Sequence, residues 1–558
     1  MKTKTSEQSR RARWYLRRGS QIVFFLLFLF LFLKAEYGGQ DILAWPVDLF
    51  FQFDPLILLT NLLTLSPLVK GLLWSLVFVG LTVVWGRFFC GWVCPLGTTL
   101  DGCRRLLFVL RADSGVADRC RRVKYYLLFG LLAGTVFSLN LVGLFDPLSL
   151  LFRSLAIVFF PAFGYGVEKL SIAAYRWGKP FTYVSEPAYQ FLKATVLPVK
   201  PLVYLLPFLT LAIFILAVAA ERLDRRFWCR ALCPLGALYG LIARFSLIRR
   251  RPTVLCKDCQ DCAEVCKMGA LGVRQEIGTS NPFASQMPRH QTAECQLCLR
   301  CQESCEKGRI SFGFGVKAPR TPLDLGRRQL ITAMAAGVAM VPLVHLGSLA
   351  RRPQEFLIRP PGAQDEGEFL SRCIRCGECR KVCLTNGLQP VLWEAGLEGF
   401  YTSRLVPRLG YCAYSCTLCG QVCPTGAIRE ISIAEKLGVG PFEGKGPIKT
   451  GTAFYNQGRC LPWAMDTSCV VCEEVCPVSP KAIFTRNVEV TDRWGATIQL
   501  KRPYIDPVKC IGCGICEHEC PVKDDPAVYV TAIGESRSKD RSLLLSLVEG
   551  EGKDWISI

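Results

Sequence analysis

Apolar positions gather into a few unbroken runs in the first half of this chain and give way later to short, interrupted segments. Residues 1–18 are polar and basic (Lys2, Lys4, Arg10, Arg11, Arg13, Arg17, Arg18), and the run 21–33 that follows carries no charge. Further apolar runs cover about 68–86, 124–146 and 201–220, and a last one extends over about 329–346. A bilayer span needs ~20 mostly apolar residues, so the pattern predicts about five membrane helices. A cleaved signal peptide would begin the same way. No small-residue cleavage site follows the first run, however, and a second run soon arrives. From about 350 onward the segments are short and broken by glycine, proline and cysteine, which predicts folded domains outside the bilayer.

Charge adds an orientation. Arg104, Arg105, Arg111, Arg119, Arg121, Arg122 and Lys124 lie between the second and third runs, and Arg225, Arg226, Arg249, Arg250 and Arg251 follow the fourth. Basic segments therefore fall on the side of the N-terminus, which the positive-inside tendency puts in the cytoplasm. Five spans starting inside end outside, so 251–320 is expected to be cytoplasmic and 350–558 periplasmic. The formal charge of +21 could suggest a nucleic-acid partner, but its crowding at the ends of apolar runs fits a membrane protein instead. The expected location is the cytoplasmic (inner) membrane of a bacterium or archaeon, with lipid as surroundings.

An internal repeat organises the first half. Phe53-Asp54-Pro55-Leu56 opens a unit that closes on Arg87-Phe88-Phe89-Cys90-Gly91-Trp92-Val93-Cys94-Pro95-Leu96-Gly97. Phe145-Asp146-Pro147-Leu148 opens a second, closing on Arg226-Phe227-Trp228-Cys229-Arg230-Ala231-Leu232-Cys233-Pro234-Leu235-Gly236. The second copy is longer by an insertion, 152–200, which reads as an amphipathic periplasmic segment.

The 558 residues include 30 cysteines and 3 histidines, and this changes the picture most. Disulfide scaffolds are short, whereas these cysteines recur in fours at repeated spacing. Cys-x2-Cys-x2-Cys-x3-Cys occurs outright at Cys256-Cys259-Cys262-Cys266, Cys295-Cys298-Cys301-Cys305, Cys373-Cys376-Cys379-Cys383 and Cys510-Cys513-Cys516-Cys520. Cys412-Cys416-Cys419-Cys423 and Cys460-Cys469-Cys472-Cys476 keep the last three positions. Three closely spaced thiolates bind one 4Fe-4S cubane, and the fourth cysteine ligates the other cluster of a pair. Zinc sites usually use two separated Cys-x2-Cys pairs. Six 4Fe-4S clusters are therefore expected, in α+β ferredoxin-like domains. If 252–320 folds this way, one cluster takes Cys256, Cys259, Cys262 and Cys305, and the other Cys295, Cys298, Cys301 and Cys266. In the C-terminal part, nested pairing is expected, outer quartet with outer and inner with inner. Haem is not expected, since no Cys-x-x-Cys-His occurs and only His345 lies in an apolar run.

The two Cys-x3-Cys-Pro elements carry a different signal. Positions i and i+4 share a helix face, so Cys90 with Cys94 and Cys229 with Cys233 could supply four thiolates to a seventh cluster or metal. A redox-active dithiol and plain packing remain alternatives. Cys103 and Cys120 are left over as free thiols in a reducing cytoplasm. Asp54 and Asp146 read either as N-caps before proline or as a catalytic pair accepting protons from quinol at the periplasmic membrane edge.

These residues carry a family resemblance. The spans, the paired Cys-x3-Cys-Pro-Leu-Gly elements and the first two quartets resemble NapH-type membrane polyferredoxins. Arg327-Arg328 before an apolar run, followed by four quartets, is similar to NapG/MauM-type ferredoxins with their twin-arginine signal. The resemblance implies a basic tail (1–20), a four-span domain (21–250), a two-cluster ferredoxin domain (251–320), a fifth span (321–349) and a four-cluster domain (350–558). It also implies oxidation of membrane quinol, with electrons passed to a periplasmic reductase or cytochrome c. CcoG-like and NosR-like polyferredoxins share the Cys-x3-Cys-Pro elements and supply electrons for metal-centre assembly. Their sandwich and flavin-binding domains are not visible in this sequence.

Overall fold

The computed structural model describes residues 2–65, 67, 69–107, 115–176, 179–198, 200–252, 261–272, 289–305, 309–314, 325–349, 355–491 and 493–538. A helical domain occupies the first half. Its longest helix, Lys2–Lys34, contains the apolar stretch Tyr15–Lys34, one of two described segments long and apolar enough to cross a membrane. The other is Pro147–Arg176. The sequence reading assigns most of that segment to an amphipathic insertion, and the structure folds it as one long helical stretch. The runs at 68–86, 124–146 and 201–220 fold as shorter helices: Ser75–Trp85 after the turn Lys70–Trp74, Val123–Val136 before Val142–Phe145, and Pro207–Ala219. The interruptions fall at turns that are largely exposed: Leu73 and Trp74 in the first, Phe137 in the second, and Val203 and Leu205 before the third helix. Hydropathy alone does not locate such turns within an apolar run.

The repeat is visible as equivalent local structure. Asp54 and Asp146 each sit in extended backbone just before a proline at the first helical position. Their carboxylates accept from Leu56 N at 2.8 Å and Ser149 N at 2.7 Å. This satisfies a donor that the helix start would otherwise leave bare. Cys233 caps the helix Pro234–Ala243 in the same way, its sulfur accepting from Gly236 N at 3.2 Å.

Three small units of two-stranded sheets follow, each with its ends tied together. Ile248–Pro252 pairs antiparallel with Ile310–Phe314 around the first two quartets. A bridge between Ala363 and Ile428 closes a second unit, with Leu388–Pro390 pairing Ser403–Leu405 inside it. Thr452–Tyr455 pairs with Val528–Thr531 around a third, which carries the long hairpin Ile483–Thr491 and Thr497–Ile505. The C-terminal part is thus two closed units, each enclosing two consecutive quartets.

The helix Arg327–Leu349 connects the first unit to the other two. It runs alongside Val123–Val136, at a crossing so close that a Cβ on Gly337 would overlap the backbone of Gly130. Small residues at such a crossing let two helices approach backbone to backbone.

Candidate metal centres

In the C-terminal units each quartet is a tight loop leading into a short helix, and each fourth cysteine sits where that helix ends. The loops need left-handed backbone at Arg375 and Gly377 in one quartet and at Gly512 and Gly514 in another. That conformation turns three thiols inward at close sequence spacing.

Four cavities decide how the quartets combine. One is lined by Cys295, Cys298 and Cys301 together with Cys266. A second is lined by Cys412, Cys416 and Cys419 with Cys383. The third is lined by Cys460, Cys469 and Cys472 with Cys520, and the fourth by Cys510, Cys513 and Cys516 with Cys476. Cys373, Cys376 and Cys379 lie within electrostatic reach of Cys423. The first and second C-terminal quartets therefore exchange their fourth cysteines, as do the third and fourth. This overturns the nested arrangement expected from sequence, because each unit closes its strands around neighbouring quartets. In the first unit Cys262 and Cys305 pack together. Their expected companions Cys256 and Cys259 lie outside the described residues.

Among the described residues no three Cys, His, Asp or Glu side chains meet closely enough for a single metal ion. A cubane is held at its corners, so its thiolates stand apart around a volume, as the cavity-lining thiols do here. Burial pushes the Cys460 thiol up to about 11 and Cys513 up to about 12. Groups this reluctant to ionise become thiolates by binding metal. Hydrogen-bond donors wait at the sulfurs: Ala453 N on Cys510 and Ile428 N on Cys423, both at 3.4 Å, and Lys436 Nζ on Cys412 at 3.3 Å. Such donors tune cluster potential.

Comparison with known proteins agrees with this donor set. The family described as "4Fe-4S binding domain" matches residues 69–111, 205–253 and 419–439. The "4Fe-4S dicluster domain" matches 466–523. The methylamine utilization ferredoxin-type protein MauM of Methylorubrum extorquens is 32% identical over 215 residues, covering 36% of this chain and 86% of that protein. The ferredoxin-type protein NapG of Escherichia coli K12 is 30% identical over 239 residues, covering 40% and 89%. The chain belongs to the 4Fe-4S ferredoxin-type proteins. MauN of M. extorquens, another methylamine utilization ferredoxin-type protein, is 29% identical over 270 residues, covering 45% of this chain and 74% of its own. No solved structure matches the chain.

In this ferredoxin-type protein the two Cys-x3-Cys-Pro elements meet. Cys94, Cys229 and Cys233 are buried in one apolar core with Cys90 packed against it, and the four thiols lie within electrostatic reach of one another. Cys103 and Cys120 are free and half-buried. Asp54 and Asp146 are fully buried and lie within electrostatic reach of each other, deep in the helical domain.

Sequence reasoning missed the charges that join the units. Glu294 is buried and accepts from Arg87 at 2.8 Å, Lys124 at 2.5 Å and Tyr125 at 2.8 Å. Arg226 pairs with Asp101 at 3.1 Å and donates to Gln296 Oε1 at 2.6 Å and the Cys90 carbonyl at 2.8 Å. Their signal was available, because Arg87 and Arg226 occupy the same position in both repeat copies, three residues before the first cysteine.

Exchange of fourth cysteines gives a direct test. Cys376→Ser and Cys423→Ser should each remove the same cluster, about four irons at four per cubane, and the double variant should lose no more than either. A double variant losing about twice as much would restore the nested arrangement.

Proposed function

We infer that the chain is a membrane-bound electron carrier that takes electrons from membrane quinol and relays them through six 4Fe-4S clusters to a periplasmic reductase or cytochrome c. The observation that carries this reading is the position of the ferredoxin units relative to the first apolar helix. Near its start, Arg17 Nη1 donates to the Cys298 carbonyl of the first unit at 3.2 Å. Just beyond its end, Glu36 pairs with Lys381 of the second unit at 3.5 Å, and Asp41 accepts from Thr417 N at 2.7 Å. The apolar stretch Tyr15–Lys34 contains 20 residues. A helix of that size is about 30 Å long, which matches the thickness of a bilayer's hydrocarbon core. Basic residues cluster at the end that holds the first unit, which favours the cytoplasm for it and the periplasm for residues 350–558.

The bound clusters would supply one-electron chemistry. The chain's own residues hold the thiolates, shield them from water and, at Asp54 and Asp146, place two buried carboxyl groups near each other in the helical domain. Quinol gives up two protons with its two electrons, so this pair is the candidate acceptor.

A short-chain quinol analogue added to the anaerobically purified protein should bleach the cluster absorbance. Asp54→Asn and Asp146→Asn should slow that reduction while dithionite still reduces the protein fully. Reporter fusions after residue 320 and at the C-terminus should report opposite sides of the membrane. Reduction by dithionite but not by any quinol analogue would remove the quinol reading and leave the accessory role of CcoG- and NosR-like chains. Two cytoplasmic reporters would remove the topology.

A further inference from the structure

We propose that Cys90, Cys94, Cys229 and Cys233 hold a redox-active iron–sulfur centre that joins the two ferredoxin arrays into one electron path through the helical domain. It rests on the electron-carrier reading above and adds the link between its two ends.

The repeat copies are interlocked at these thiols. A Cβ on Gly236 would meet Arg87 Nη2 at 2.7 Å, and one on Gly97 would meet Arg226 Nη1 and Nη2 at 3.4 Å. The arginine of each copy therefore lies over the Cys-Pro-Leu-Gly turn of the other. Arg87 is in electrostatic reach of Cys90 and Cys233, and Arg226 of Cys229 and Cys94. Four thiolates around a cluster carry net negative charge, and two buried guanidiniums offset it. Arg87 and Arg226 also pair with Glu294 and Asp101, and Arg87 keeps Nε and Nη2 buried without a hydrogen-bond partner.

Both arrays reach this point. On one side, Trp92 Nε1, between Cys90 and Cys94 in sequence, donates to the Leu297 carbonyl at 3.2 Å, inside the Cys295 quartet. Gly91 lies so close to Gln296 that a Cβ would stand 2.6 Å from its carbonyl oxygen. On the other side, one continuous apolar core contains Cys94, Cys229 and Cys233 together with Ile374 and Cys376 of the second unit. A Cβ on Gly143 would overlap the Ile374 carbonyl, so the unit is seated directly on the helical domain. Tyr239, buried between, is in electrostatic reach of Cys90 and Cys94 and also of Asp54 and Asp146. Beyond the carboxyl pair, Arg153 donates to the Arg375 carbonyl at 3.4 Å.

The path continues without a gap in the C-terminal array. Cys379 lies in reach of Cys419, Cys412 N donates to the Cys513 carbonyl at 2.8 Å, and Cys516 lies in reach of Cys472. Each transfer moves one electron, the donor site being oxidised as the acceptor site is reduced, and no bond is made or broken at the thiolates.

The test uses full-length protein in sealed vesicles, with dithionite, which does not cross the bilayer, added outside. The wild type should bleach completely, because electrons entering either array cross to the other. Cys94→Ser and Cys229→Ser should bleach only the array facing outward, and should lose about four irons per chain. Once dissolved in detergent, both variants should be reduced completely, which separates a broken link from a misfolded array. Quinol plays no part here, so a failed quinol assay leaves this test intact. Wild-type vesicles that bleach only in part overturn the proposal without any variant. Variants with unchanged iron, or with complete bleaching in vesicles, overturn it as well.

Discussion

Anaerobically purified protein should contain about 24 iron atoms and as many acid-labile sulfides from its six quartets, at four per cubane, and about 28 with the helical-domain thiols occupied. The expectation follows from how the thiols are placed: four sets of four each line a cavity. Stripping the iron should cost more than redox activity. Cys460, Cys472, Cys510, Cys516 and Cys520 are themselves members of the buried core of the third unit, beside Ala453, Ile483 and Val528. Without a cluster that core surrounds a void lined by thiols that resist ionising, and both effects destabilise the fold. Residues 355–538 should become sensitive to protease once iron is chelated. A zinc-rich, iron-poor preparation, or a C-terminal part that stays resistant after iron loss, would contradict the reading.

Glu294→Ala should destabilise the seating of the first unit by about 3–5 kcal/mol, the usual cost of leaving buried charge without its partner. Arg87 and Lys124 are wholly buried and share this one carboxylate, and Tyr125 donates to its other oxygen. Removing it strands two cations in a site closed to water. Glu294→Gln should be intermediate, keeping an acceptor for Tyr125 while losing the charge. Thermal unfolding of the detergent-solubilised protein measures the loss, and protease cleavage within 252–320 reports whether that unit has come away. A cost under about 1 kcal/mol, typical of exposed ion pairs, would mean that water reaches the site.

Much of the candidate chemistry was legible in order along the chain. Cysteine spacing within a quartet is a local property, since three thiols on one loop converge whatever the rest of the fold does. The Asp-Pro helix starts were legible too, because a cap is a contact between neighbours in sequence. Hydropathy identified the first apolar helix for the same reason. It placed spans at 68–86, 124–146 and 201–220, where turns break the helices, and none over Pro147–Arg176, which is one long apolar helical stretch.

What sequence by itself determined, then, is the set of cysteine loops, the repeat and the family of 4Fe-4S ferredoxin-type proteins. Tertiary structure alone decided which quartets exchange their fourth cysteine, because that depends on Ala363 meeting Ile428 and Thr452–Tyr455 meeting Val528–Thr531 across long stretches of chain. It also decided that Asp54 meets Asp146, that Arg87 and Arg226 cross between repeat copies, and that Glu294 is where a distant unit locks on. Those contacts join residues tens to hundreds of positions apart, and no local pattern of side chains encodes them. They arise only when burial of the apolar faces brings the elements together and leaves each buried charge to find its partner.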